Sequence, residues 1–443
     1  MFQADDLGAG ISSQNNGGFG LNFVTTSTVQ STPTAGTVGN LLMTGPSTLN
    51  GNTAGTVNIS MNKALQAIVG LSGTFDGSSG DGIGISLTNI SDLALVSVQG
   101  PGEVSGNAGN GINVNLQNAH NGVVFIGGFT DVSNNGLDGI KVTMDNVGAN
   151  FGAGTGHGVL TINGTTTAVP GNTMNVSNNG GNGINTSFIN GSIIDNSFAG
   201  AILGGVSNQV SLIVNNGDLN PATNLLPPPP LPTVPTLPAG QPMLVTQLQN
   251  VSTPLGLTFG NTVSIENVNL DANGSNNALN GKGIQYTVNA SQVVGSTLIQ
   301  NANISNTGTA GTNNSGMVVS FLNAANVTGL RLVDSSITNS FGDGFQMLNP
   351  YMTTTPFALG FTRATLTGNT NNGIDITLPN LSLLNPTLNL TLTNATVSNN
   401  GSAGVSGTDS NGLFIDASNT LNSTATVNVN ILSDNTTANA VSG

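Results

Sequence analysis

A solenoid of stacked β-coils, read as an all-β parallel β-helix with about 30 residues per coil, is the fold class this sequence predicts. Three observations predict it. A short phrase recurs down the chain, clearest as Asn389-Leu-Thr-Leu-Thr-Asn-Ala-Thr-Val-Ser-Asn-Asn400, a Gly-rich turn, then Gly412-Leu-Phe-Ile-Asp416. Its strands alternate apolar and polar residues, which buries one face and wets the other. Its corners are made of Asn and Gly, which tolerate positive φ and, for Asn, bond their own backbone.

The last apolar residue before each corner sets the period. In the second half these residues are Leu270, Ile304, Ile337, Leu366, Val397 and Leu432, at steps of 34, 33, 29, 31 and 35. In the first half they are Phe75, Val104, Val132, Val176 and Ile194, at steps of 29, 28, 44 and 18, so one coil there carries an insertion and another is cut short. The corners Ser133-Asn-Asn-Gly136, Ser177-Asn-Asn-Gly180 and Ser398-Asn-Asn-Gly401 place Asn at matching positions, where stacked side chains can ladder from coil to coil. After each corner comes Gly and an apolar strand, as in Gly82-Ile, Gly111-Ile, Gly139-Ile, Gly183-Ile, Gly344-Phe and Gly373-Ile. Gly and β-branched residues dominate and no stretch keeps a 3.6-residue apolar period, so helices are not expected. An antiparallel sandwich array is the competing reading, but sandwich repeats need modules of about 100 residues.

The order of elements divides the chain into an N-terminal β-helical block (1–220), a Pro-rich linker or external loop (221–243) and a C-terminal β-helical block (244–443). The middle piece contains Leu225-Leu-Pro-Pro-Pro-Pro-Leu-Pro-Thr-Val-Pro-Thr-Leu-Pro238. Proline removes ladder donors and favours polyproline II, so no coil is expected to continue through it. The ends, a corner at Asn15-Asn-Gly-Gly18 and a strand at Val427–Leu432, look like open coils, as in a piece of a longer protein or a subunit that pairs with the next.

Composition narrows the function. Of 443 residues only five are Lys or Arg and 19 are Asp or Glu, for a formal net charge of −14. Lys63, Lys141, Lys282, Arg331 and Arg363 form no basic cluster, so nucleic-acid binding is not expected. A polar but nearly uncharged surface leaves little repulsion between copies and suits lateral packing. There is no Cys and therefore no disulfide. Met1–Asp6 lacks the features of a signal peptide, and no run of about 18 apolar residues suggests a membrane span.

Together, the corners and strand pairs resemble the right-handed parallel β-helix proteins, the pectate-lyase-like superfamily, over most of residues 60–220 and 250–443. The resemblance implies a right-handed coil. It also implies membership of a group containing polysaccharide lyases and hydrolases, phage tailspikes and bacterial surface proteins, many of the last being non-enzymatic adhesins or surface-layer proteins. Lyases of this superfamily set calcium-binding acids beside a catalytic Arg or Lys; here Arg331 and Arg363 lie one coil apart near Asp334 and Asp375. Their offsets from the corner differ, so they are not expected to stack. The hydrolases use paired Asp with a His-Gly and a basic triplet; this chain offers Gly156-His-Gly158 and Asp5-Asp6 but no such triplet.

Asp81, Asp138 and Asp343, in Gly80-Asp-Gly82, Leu137-Asp-Gly139 and Gly342-Asp-Gly344 at matching corners, are the candidate calcium ligands; the bland alternative is that they form turns. No cofactor is expected apart from calcium at these acids. His120 and His157 are solitary, which gives zinc little support. Phe125, Phe129, Phe188, Phe321, Phe345 and Phe414 are expected to stack inward, and Asn58, Asn163, Asn190, Asn326 and Asn422 head glycosylation sequons. The expectation is a non-enzymatic extracellular, cell-surface structural protein. Its partners would be further copies of itself, joined through end coils and lateral faces, with glycan contacts as an additional surface role. An adhesin or receptor-binding fibre is the first alternative and a polysaccharide lyase or hydrolase the second.

Overall fold

The structure, a computed structural model, describes residues 2–6, 12–26, 38–64, 66–100, 102–148, 158–164, 173–194, 263–276, 279–294, 297–312, 314–323, 325–348, 356–378, 387–401, 411–416 and 426–432. Among them there is no α-helix, and every strand pairing is parallel. The strands wind into a parallel β-helix with three faces. A right-handed sense is the one that strand twist favours for parallel crossovers.

Face 1 stacks Phe19–Thr26, Gly55–Asn62, 83–88, 112–117, Ile140–Val147, Ile184–Ile189, Ile284–Asn289, Met317–Leu322, Phe345–Leu348, Ile374–Thr377 and Leu413–Asp416. Eleven rungs at about 4.8 Å make a stack roughly 50 Å long. Face 2 runs from Phe2–Asp6 through Gly158–Asn163 to Thr387–Thr393 and Thr426–Leu432. Face 3 is short, often three residues per rung, as in Ser336–Thr338, Thr365–Thr367 and Thr396–Ser398. A small separate sheet joins Ser192–Ile194, Gln292–Val294 and Asn326–Val327.

Alternation decides what is buried. In Ile184–Ile189 and Ile284–Asn289 every second residue points into the coil, and the inward column Ile83, Ile112, Ile140, Ile184, Ile284, Met317, Phe345, Ile374 is fully buried. The apolar column before the corner is in register from Leu49 through Phe75, Val104, Val132, Val176, Leu270, Ile304, Ile337 and Leu366 to Val397. Two of the expected members fall elsewhere. Ile194 belongs to the small sheet, and Leu432 pairs Thr393 on face 2. Hence the coil that looked cut short is a full one whose next rung lies at Leu270, because a period read along the chain cannot see an excursion between rungs.

The Pro-rich segment lies outside the described residues. On either side of it Leu160 pairs Val263, Met174 pairs Val268 and Ile184 pairs Ile284, so the ladder runs unbroken from the rungs before residue 195 to those after 262. Face 2 holds a feature that alternation did not predict. Ile68, Leu95, Val123 and Val159 form its outward column, yet all are buried and none belongs to the main core. Strands buried on both sides read as continuous apolar runs, as the stretch Ala-Ile-Val-Gly-Leu at 67–71 does.

The aromatic side chains divide between core and surface. Phe188, Tyr286, Phe321 and Phe357 step along the core with ring centroids 5.7, 6.3 and 5.3 Å apart. Phe129 and Phe345 are buried as expected. Phe125 and Phe414, however, occupy outward positions, in register with Thr161 and Asp375, and are only partly buried.

Candidate functional site

The chemistry of this chain is concentrated at the corner between faces 3 and 1. The corner turns on a residue with positive φ at each coil: Asn15, Gly51, Gly77, Gly106, Asn134, Asn178, Ala272, Asn306, Asn339, Gly368 and Asn399. The following residue points inward, and these residues stack as Asn16, Asn52, Ser78, Asn107, Asn135, Asn179, Asn273, Thr307, Ser340, Asn369 and Asn400. Asn135 is typical. Its Nδ2 donates to the Asn179 Oδ1 at 3.0 Å and to the Val104 carbonyl at 3.1 Å, while its Oδ1 accepts from the Asn107 backbone N–H at 3.2 Å and the Asn107 Nδ2 at 3.0 Å. Every polar atom of a buried amide is thereby used, which is the condition for burying it at all.

The glycine after each corner exists for this ladder. A Cβ on Gly111 would stand 2.7 Å from the Asn135 Nδ2 and 2.6 Å from the Gly139 carbonyl oxygen. Gly82, Gly139, Gly183, Gly344 and Gly373 stand against Asn107, Asn179, Asn273, Asn369 and Asn400 in the same way. The two sequence signals, corner Asn and following Gly, are thus halves of one packing device.

A second column stands two residues before each face 1 strand: Asp81, Asn110, Asp138, Asn182, Lys282, Ser315, Asp343, Asn372 and Asn411. All three candidate calcium ligands lie in it. The Asp81 Oδ1 accepts from the N–H and Nδ2 of Asn110 at 2.7 and 2.9 Å, and its Oδ2 from the Asn113 Nδ2 at 2.8 Å. Asp138 accepts from Asn182 at 2.7 and 2.9 Å and from Asn185 at 2.8 Å. The Asp343 Oδ1 accepts from the Asn372 N–H at 2.9 Å. The column spaces these acids on different coils, and among the described residues no group of three His, Asp or Glu side chains is close enough to hold a metal ion. Their carboxylates serve as rungs, alternating with Asn.

Lys282 occupies one rung of this column and is 9% exposed. Burial lowers its pKa to about 8, against the opposing pull of the Asp343 carboxylate. Its Nζ donates to the Asn280 Oδ1 at 3.0 Å. Tyr286 is fully buried beside Thr297, and burial raises its pKa. On face 3, burial raises the pKa of Asp76, with Ser105 hydrogen bonds opposing and the carboxylates of Glu103 and Asp131 adding to the rise.

The basic residues near the C-terminal half do not converge. Arg331 is in register with Gly360, whereas Arg363 is the corner residue above Asp334 and forms with it the ion pair found among the described residues, at 2.5 Å. That contact holds the exposed Asp334 carboxyl below the usual carboxylate range. His120 keeps its Nδ1 buried without a partner. Gly156 and His157 lie outside the described residues, as do Asn422 and, for its side chain, Asp5-Asp6. The sequon residues Asn58 and Asn163 belong to outward amide rows, pairing with Asn22 and Asn267.

Fold and corner chemistry together define a class: an all-β parallel solenoid whose coils are stapled by buried amide ladders. Beyond that class, no protein-family model, no curated protein and no solved structure matches the chain.

Proposed function

We propose that this chain is a non-enzymatic, extracellular structural protein whose stacks associate into a surface layer, sheath or filament. The observation that supports it best is the outer surface. Faces 1 and 3 present rows of Asn, Ser and Thr, several of them paired from coil to coil, as in Asn62–Asn89–Asn118–Asn146 and Asn303–Ser336. Only 24 of 443 residues are charged, so the charge density on such faces is low, and the repulsion that paired rows must overcome is that of a net charge of −14 spread over the whole chain. Lateral contacts between such rows, repeated head to tail without closing, would propagate into fibres.

At the level of fold the reading keeps the likeness to pectate-lyase-like surface proteins. The lyase alternative draws no support from Arg331 and Arg363, which occupy different columns. Electron microscopy of the native material at its source tests the proposal. Filaments, tubes or lattices with an axial repeat of one or two stack lengths are expected. Isolated rods or trimers under all conditions, with and without calcium, would remove the proposal and leave an adhesive fibre as the better reading, to be tried on a glycan array.

A further inference from the structure

The two corner columns are interrupted at adjoining coils, and the coil of Thr307 and Ser315 lacks the amide or carboxylate of both. In the inner ladder the sequence Asn179–Asn273 gives way to Thr307 and Ser340 before Asn369–Asn400 resumes; in the second column Asn182 and Asp343 are separated by Lys282 and Ser315. At this place four side-chain atoms are buried with no partner: the Thr307 Oγ1, the Ser340 Oγ, and both the Oδ1 and Nδ2 of Asn314. Thr307 and Asn314 are wholly buried and Ser340 is 1% exposed.

The glycine that makes room for a longer side chain is nevertheless kept at both rungs. Gly283 and Gly316 continue the glycine column that elsewhere admits an Asn amide. At intact rungs the amide nitrogen lies 2.6–2.8 Å from where the glycine's Cβ would be; the Ser340 hydroxyl stands as close to Gly316, at 2.7 Å, but at Gly283 the Thr307 hydroxyl is 3.3 Å away, so the room is at the Thr307 rung. The Asn314 side chain closes the site from the same coil, its Cβ 2.6 Å from the Cβ position of Gly308, which follows Thr307, and its Nδ2 3.1 Å from that of Gly274 on the preceding rung.

We infer that these two rungs form an internal binding site for ordered water, which takes the place of the missing ladder amides. The chemistry selects the ligand. Two hydroxyls and a carboxamide supply both donors and acceptors, so the occupant must also give and take hydrogen bonds. A cation could use the three oxygens but would leave the Asn314 Nδ2 unpaired, and an apolar filling would leave all four atoms unpaired. Water bound by two to four polar groups is the usual solution in protein interiors.

Crystal structures of the natural chain and of the Thr307→Asn/Ser340→Asn variant test the inference. In the natural chain, ordered water within hydrogen-bond distance of at least two of the four atoms is expected. In the variant, that water is expected to be replaced by carboxamides that join Asn273 to Asn369, with a higher thermal midpoint. The inference is overturned if the four atoms pair directly with protein groups in the natural chain, or if the site holds an ion. Should the variant not fold, the natural chain alone decides. The outcome is independent of whether the protein polymerises.

Discussion

Gly111 and Asn135 show how much one residue pair does in this molecule. The amide makes four hydrogen bonds inside the coil, and it fits only because the residue across from it has no side chain. Gly111→Ala pushes a methyl group into a backbone carbonyl and a fixed amide, so a loss of about 2 kcal/mol is expected from overpacking. Gly18→Ala meets nothing within 4 Å and serves as the control. Thermal melts of the two variants, followed by circular dichroism, should separate them by several degrees; equal midpoints would mean that the corner yields. Lys282 gives a pH dependence whose sign can be worked out. Its pKa falls from 10.5 to about 8 on folding, so between those values the unfolded chain binds more protons. Stability therefore rises with pH across that window. Tyr286, whose pKa is raised, acts against it only above its ordinary value of 10. The Lys282→Gln variant is expected to melt higher than the natural chain below pH 8 and to lose the rise between pH 8 and 10. A parallel pH profile for both proteins would show that the ammonium is solvated in the fold.

At the scale of the element, a rung is stable through its neighbours. A face 3 strand such as Thr365–Thr367 is three residues long and could not persist alone; it is held by Ser336–Thr338 on one side and Thr396–Ser398 on the other. The acids of the second column are part of this cohesion. Because Asp81 and Asp138 already accept three amide donors each, removing divalent cations with a chelator is expected to leave the melting temperature unchanged. A fall on chelation, restored by calcium, would assign Asp81, Asp138 and Asp343 to a metal after all. Much of this element-scale order was legible beforehand. The apolar column from Phe75 to Val397 and the Gly-apolar starts could be read directly, because burial every second residue and a fixed corner leave a mark on local sequence. The outward apolar column Ile68, Leu95, Val123 and Val159 was not legible as such, since a strand buried on both sides looks like any apolar run.

The whole molecule is a one-dimensional object, and its largest interruption does not break it. The rungs on either side of residues 195–262 pair with each other through Leu160–Val263 and Ile184–Ile284. Replacing residues 200–255 by a short Gly/Ser linker is therefore expected to preserve the far-UV spectrum and the melting temperature to within a few degrees, loop length entering stability only logarithmically. Loss of the β-sheet signal would show that the excursion contributes to the stack. What the sequence by itself determined is the local grammar: strands, corners, and an interior closed by Asn and Gly, because these follow from alternation and from backbone conformation one coil at a time. Only the tertiary structure decided which coil lies on which. It placed Ile194 and Leu432 outside the main column, set Asp81, Asp138 and Asp343 into a ladder of amides, and brought Thr307, Asn314 and Ser340 together without partners. Register between rungs is a property of neighbours in space, and with coils of unequal length no spacing along the chain can stand in for it.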